Sequence, residues 1–230
     1  MSLPFDELNV LALQRKQRSI PIDQFFDEMD LPASEKEDRK EFSKRMQDIL
    51  FFTLSLLHIL LVRKIDWISL DSIKADLAKK ITDLLEQYTY PDLALQNRIE
   101  EYASGFVDAT ANHSISEKSE DLAYWYSEDR ARFNAEDETN DLFNYEQFRD
   151  AIRNGAKYKQ WITMRDERVR RTHAEVDGMI VGINDFFPVG DCQMRFAHDT
   201  EYGDPEELIG CRCTTRYLTE EEFKAISRAA

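Results

Sequence analysis

From Ile49 to Val62 the chain spells I-L-F-F-T-L-S-L-L-H-I-L-L-V, an apolar run of 14 residues interrupted only by Thr53, Ser55 and His58. Crossing a bilayer takes about 20 apolar residues in succession. The run is therefore expected to be a deeply buried helix, with no membrane as partner. Upstream, Pro32 precedes Ser34-Glu35-Lys36-Glu37, an S-x-x-E capping box whose two polar side chains satisfy orphan backbone donors at a helix start. From there Phe42, Met46, Ile49, Leu50, Thr53, Leu54, Leu57 and Leu61 recur at steps of three and four, and toward the end the apolar surface spreads around the helix. Such a helix needs cover on several sides, which commits the first part of the chain to a helical assembly.

The segments that follow supply that cover. Leu70, Ile73, Leu77, Ile81, Leu84, Leu85 and Tyr88 form one amphipathic stripe, closed by Tyr90-Pro91. Leu93 to Thr110 forms another through Ile99, Tyr102, Phe106 and Val107. A second capping box, Ser114 to Glu117, opens a helix with Leu122, Trp125 and Tyr126, and Thr139 to Asn154 forms a further one through Leu142, Tyr145, Phe148 and Ile152. Asn154-Gly155 stops it in the manner of a left-handed C-cap.

Beyond Gly155 the pattern changes. Tyr158 to Thr163 has strand composition, Asp177-Gly178 is a turn pair, Met179 to Ile183 is a following strand, and Phe186 to Gly190 ends it. One helical turn is expected around His173 and a short closing helix over Glu220 to Arg228. The fold class is thus α+β: a mainly α-helical N-terminal region, then a small C-terminal α+β module with short strands.

Charge follows the same division. Residues 1 to 150 carry 31 acidic and 18 basic side chains, whereas residues 151 to 230 carry 14 and 12. A net charge of -15 excludes wholesale coating of nucleic acid, whose affinity comes from cations displacing counterions from phosphate. The exception is local. Lys157, Lys159, Arg165, Arg168, Arg170 and Arg171 are opposed within their run only by Asp166 and Glu167, and form either a solvated, salt-bridged face or a contact for nucleic acid or an acidic partner. The N-terminus M-S-L-P-F-D-E-L lacks the basic and apolar regions of a signal sequence, and three cysteines make a poor disulfide framework, so a reducing interior is expected.

The ordered string K-x-W-x-x-x-x-D-x-R-V-R-x-x-H-x-x-x-D-G is spelled here by Lys159, Trp161, Asp166, Arg168, Val169, Arg170, His173, Asp177 and Gly178, and C-R-C follows at Cys211 to Cys213. With these landmarks the chain resembles the phage Mu F-like minor head protein family over roughly residues 95 to 217, including Glu138-Thr139-Asn140, where the family often carries a T-E-T-like stretch. Gly210 stands where many relatives have Asn, and Arg170 to His173 where others have C-x-x-C. The resemblance implies a virion protein present in few copies, made in the host cytoplasm and placed in the head interior or at the portal vertex. Its implied partners are portal and other head proteins, with phage DNA contacted through the local basic patch during packaging or ejection. It sets off residues 96–217 as the family's domain, with helices over 96–155 and the α+β module over 156–217; residues 1–95, outside the resemblance, are expected to be a helical region for partner docking, and 218–230 a tail helix. It also implies assembly rather than turnover of a substrate.

Three chemistries compete for the rare side chains. Tetrahedral zinc would draw on His173, Cys211, Cys213 and either Cys192 or His198. Alternate side chains on a straight strand lie nearly 7 Å apart, so Cys-x-Cys chelates only where the backbone turns, and Gly210 permits a turn. The cysteines otherwise stay as buried thiols, or Cys192 enters a disulfide. A polar network of Trp161, Asp166, Arg168, Arg170, His173, Asp177 and Gly178 would instead pin irregular loops, with Trp161 as core anchor. The enzymatic alternative is a metal-dependent nuclease-like cluster of Asp166, His173, Glu175 and Asp177. The deaminase pattern H-x-E with P-C-x-x-C is excluded by spacing, since Cys211 and Cys213 are one residue apart and Gly210 precedes them.

Overall fold

The computed structural model describes residues 22–65, 67–115 and 122–229. The N-terminal octapeptide and Glu117 of the second capping box lie outside them. In chain order the helices and strands are α1 (Ile22–Asp27), α2 (Ala33–Val62), α3 (Leu70–Leu85), α4 (Leu93–Ile115), α5 (Leu122–Trp125), α6 (Glu128–Arg153), β1 (Tyr158–Ile162), α7 (Arg171–Glu175), β2 (Ile180–Gly182), β3 (Phe187–Val189), β4 (Cys192–Met194), α8 (Pro205–Leu208), β5 (Thr214–Leu218) and α9 (Glu220–Ala229). The α+β class is as expected. The described residues fall into two compact units: 22–39 together with 137–229, and the described part of 40–136. The boundary expected at residue 95 falls inside α4.

In the second unit, α3 buries the predicted stripe of Ile73, Leu77, Ile81, Leu84 and Leu85. Ser69 caps it, its hydroxyl accepting from Ser72 N at 3.1 Å. The expected starts of two helices differ. At α2, Lys36 N donates to Pro32 O at 3.0 Å, so the helix opens at Ala33, one residue ahead of the capping box. Ser114, read as a cap, lies within α4.

Helix α2 buries Phe42, Met46, Leu50, Leu54 and Leu57 completely, yet leaves Phe52 58%, Ile59 45% and Val62 61% exposed. The expectation of cover on several sides is corrected: one face is packed and the opposite face is open. The helix is also longer than the uninterrupted run. Its 30 residues contain an 18-residue window of mean hydropathy 1.5, a third of it buried. By length and composition alone it is long and apolar enough to cross a membrane.

A second departure concerns α6, expected from Thr139 and observed from Glu128, where Ser127 Oγ accepts from Arg130 N at 3.1 Å. Its first turns bury Ala131, Ala135 and the whole of Arg130. That guanidinium stacks over Phe106 and Trp125 at 4.6 and 4.5 Å and donates to Thr110 Oγ1 and Trp125 O. Burial lowers its pKa to about 10.

In the first unit, β1 is the centre of an antiparallel sheet ordered β2-β1-β5, with Trp161 opposite Thr215 and Gln160 opposite Ile180. Phe186 to Gly190, read as a terminator, instead holds β3, which pairs with β4 through Phe187↔Met194 and Val189↔Cys192. Gly190, at φ 59°, makes the two-residue turn. Such hairpin turns need positive φ. Trp161, Val176, Phe187, Val189, Cys192, Met194, Leu208, Cys211 and Cys213 form one core. Gly155, at φ 77°, ends α6 as expected, with Ala156 N donating to Ala151 O at 2.9 Å.

Candidate metal centre

Two segments bring the rare side chains together. The single turn α7 carries His173 into the core, where it is buried. The segment before β5 carries Cys211 and Cys213. Gly210 takes φ 64° and Cys213 N then donates to Cys211 Sγ at 3.4 Å, so the chain turns and both thiols face the same way. His173 Nδ1 lies 3.3 Å from Cys213 Sγ and 3.5 Å from Cys211 Sγ. All three donor atoms fall within 4.8 Å of one another, forming the one such His, Cys and carboxylate group among the described residues.

The remaining ring nitrogen is also engaged. His173 Nε2 lies 3.0 Å from Glu207 Oε2, which accepts from Thr172 Oγ1 at 2.8 Å. Gly190 leaves room for this carboxylate, because a Cβ there would collide with Glu207 Oε1. Trp161 stands edge-on to the imidazole, centroids 5.6 Å apart. Interaction between the two neighbouring thiols holds Cys211 well below and Cys213 well above the ordinary thiol pKa. Burial opposes charge on His173, but the neighbouring Cys211 sulfur outweighs it and raises the imidazole pKa.

The other two expected ligands sit elsewhere. Cys192 Sγ accepts from Asp204 N at 3.2 Å, and all three cysteines are unpaired thiols. His198, at φ 64° and buried, has Nε2 3.1 Å from Asp137 Oδ1 and Nδ1 3.9 Å from Asp141 Oδ1. Burial opposes its charge, yet the two carboxylates hold its pKa well above the usual histidine value.

The polar landmarks separate into distinct clusters rather than one network. Asp166 accepts from Arg168 N at 3.0 Å and from both Arg212 Nη2 contacts at 2.9 and 2.8 Å. Arg212 also reaches Glu28 at 2.6 Å, and Arg168 pairs with the same carboxylate. Burial would raise the Asp166 carboxyl, but the Arg212 and Arg168 hydrogen bonds bring it below its ordinary range. Asp177 accepts from Thr163 N at 2.9 Å and from Arg165 Nε at 2.7 Å, and Gly178 N donates to Trp161 O at 2.8 Å. Arg170 Nη2 donates to Ile209 O at 2.5 Å. Glu175 is exposed beside Arg171. Asp166, Glu175 and Asp177 therefore do not join His173 in a metal-binding cluster, and the nuclease-like arrangement gains no geometric support.

The basic run is also reduced. Lys159 follows the two-residue period of β1 onto the same face as Trp161, and it is fully buried. Its ammonium donates to Ile183 O at 2.9 Å and lies over the rings of Phe148 and Phe187. The expectation of Lys159 as a surface contact is corrected for that reason. Lys157, Arg165 and Arg171 are exposed.

A polar rail on α6 completes the frame. Asp137, Asn140, Asp141 and Asn144 recur at helical spacing on one face. Asp137 Oδ1 accepts from Gly210 N at 2.8 Å, Asn140 Nδ2 donates to Cys211 O at 2.9 Å, Asp141 accepts from Thr200 Oγ1 at 3.1 Å and Asn144 Nδ2 donates to Ala197 O at 2.8 Å. The buried Arg39 guanidinium donates to Asn140 and Asn144 in turn, at 2.5 and 2.9 Å. The first half of this rail is the Glu138-Thr139-Asn140 region.

Helices joined to a small sheet, with buried polar landmarks fastening the loops, are the frame that carries these motifs. The family model described as phage Mu protein F like protein matches residues 76–216, and the chain belongs to that family. The match begins within α3, ahead of residue 95, where the motif resemblance starts. No curated protein and no solved structure matches the chain. Family membership makes it a head morphogenesis protein of the virion that works with other head proteins.

Proposed function

We propose that this chain is a minor head protein that acts at the portal vertex, in head assembly and in the packaging or ejection of DNA. Family membership carries the reading, and the open face of α2 supports it. Phe52, Ile59 and Val62 stand seven and ten residues apart, on one side of a helix, and all three are exposed. Exposed apolar surface of this kind serves protein contacts, an amphipathic helix lying in a partner's groove being one recurrent mode. Contact with DNA would rest on Lys157, Arg165 and Arg171, since Lys159 is buried and Arg170 is held by Ile209 O.

The test is association of purified protein with portal rings, capsid protein and assembled heads. Retention on portal is expected, falling about tenfold or more, a loss of about 1.4 kcal/mol, when Phe52 and Val62 are both changed to Asp. Failure to associate with any of the three would refute the reading. Turnover of nucleic acid with divalent metal, abolished by His173→Ala, would favour an enzyme instead.

A further inference from the structure

We propose that His173 Nδ1, Cys211 Sγ and Cys213 Sγ bind one zinc ion, with Glu207 orienting the imidazole through Nε2 and a solvent molecule as fourth ligand. The edges of the triangle carry the argument. With Zn–S about 2.3 Å and Zn–N about 2.0–2.1 Å, two ligands of a tetrahedral ion lie about 3.6 Å apart. The observed nitrogen-to-sulfur distances of 3.3 and 3.5 Å fit those edges without movement of the backbone.

The donor chemistry agrees. Two thiolates and an imidazole suit zinc rather than a hard cation, which takes oxygen ligands. A metal-bound histidine ordinarily gives its second ring N–H to a carboxylate, and Glu207, fixed by Thr172, occupies that place. The backbone is set beforehand: Asp137 holds Gly210 N and Asn140 holds Cys211 O, so the C-x-C turn does not depend on the ion. The indole N–H of Trp161 is buried without a hydrogen-bond partner among the described residues. Cys192 and His198 lie outside the group of donor atoms within 4.8 Å of one another.

The experiment is metal analysis of the full chain purified under reducing conditions without added metal, followed by replacement with cobalt(II). The expected result is close to one equivalent of zinc, and with cobalt a sulfur-to-metal charge-transfer band with the intense d–d bands of tetrahedral coordination. Cys211→Ser and Cys213→Ser should each lose the metal, Cys192→Ser should keep it, and Glu207→Gln should weaken binding by about 10- to 100-fold. Zinc below about one tenth of an equivalent, with no cobalt charge-transfer band, overturns the proposal. So does loss of metal in Cys192→Ser, or its retention in Cys211→Ser. The wild-type measurements decide even if a cysteine variant fails to fold. Binding does not depend on the portal reading, so failure of one leaves the other standing.

Discussion

Asn140 is hydrogen-bonded on both ends of its side-chain amide: the nitrogen donates to Cys211 O at 2.9 Å and the oxygen accepts from Arg39 Nη1 at 2.5 Å. Both partners are buried. Asn140→Ala strands the Cys211 carbonyl and part of the Arg39 guanidinium, and buried groups left without partners cost about 1 to 3 kcal/mol each. Urea unfolding should show that loss, whereas Glu175→Ala, on the surface, should stay within about 0.5 kcal/mol. Equal midpoints for the two variants would mean that the rail on α6 does not stabilise the fold.

Asp166 and Asp177 both have carboxyls held below their ordinary pKa, Asp166 by Arg212 and Arg168 and Asp177 by Thr163 and Arg165, in each case against the opposing effect of burial. Between the folded and unfolded values the folded chain binds fewer protons, so stability falls as pH falls. The contribution is fully present above about pH 4, the unfolded carboxylate value, and fades as pH drops through the folded one. Unfolding titrations should show a shallower acid slope for Asp166→Asn than for the wild type; identical slopes would contradict the assigned pairings.

Lys159 has the opposite signature. Burial lowers its pKa to about 8, against the smaller pull of Asp199, so above that value the folded chain sheds a proton that the unfolded chain keeps until about pH 10.4. Stability from this group therefore rises with pH across that window. Lys159→Met should abolish the rise and keep the core filled at little cost near pH 7, because replacing a buried charge by an apolar residue of similar volume is often neutral or stabilising. Lys159→Ala leaves a cavity and should melt earlier than the methionine variant.

Gly190 and Gly155 both have positive φ, 59° and 77°. A Cβ at Gly155 meets nothing within 4 Å, but one at Gly190 collides with Glu207. Alanine at either site should cost about 1 to 3 kcal/mol for the backbone alone. Gly190→Ala should cost more, and its denaturation midpoint should lie below that of Gly155→Ala.

Where the core is built from apolar periodicity, sequence and structure agree closely. The α3 stripe, the strand at Tyr158, the turn at Gly178 and the C-cap at Gly155 were all legible. The start of α6 was not, because its buried face is made of Ala131, Ala135, Thr139, Asn140 and Asn144 beside Arg130 and leaves no apolar period to find. The β3–β4 hairpin had a signal, the Gly190-Asp191 pair between Val189 and Cys192, which turn chemistry supports but Phe186-Phe187-Pro188 obscured. At the site, His173, Cys211 and Cys213 were identified from residue type alone. Glu207, Thr172, Arg212 and Glu28 were not, since ordinary charged and hydroxyl residues acquire meaning only from contacts far apart in the chain. Lys159 joins the basic run by charge alone, whereas the two-residue period of β1 turns it into the core.

The rail on α6 bears on the order of folding. Its bonds to the loops of the small module join residues 53 to 73 positions apart, and contacts of such long sequence separation form late, after the entropy of closing the intervening chain has been met. Because α6 precedes them in the chain, Cys211 and Cys213 sit on an unformed turn until the intervening chain closes and Gly210 and Cys211 dock on α6, and both thiols are open to oxidation through that interval. Reductant present while the chain refolds should therefore keep both thiols free until that turn closes.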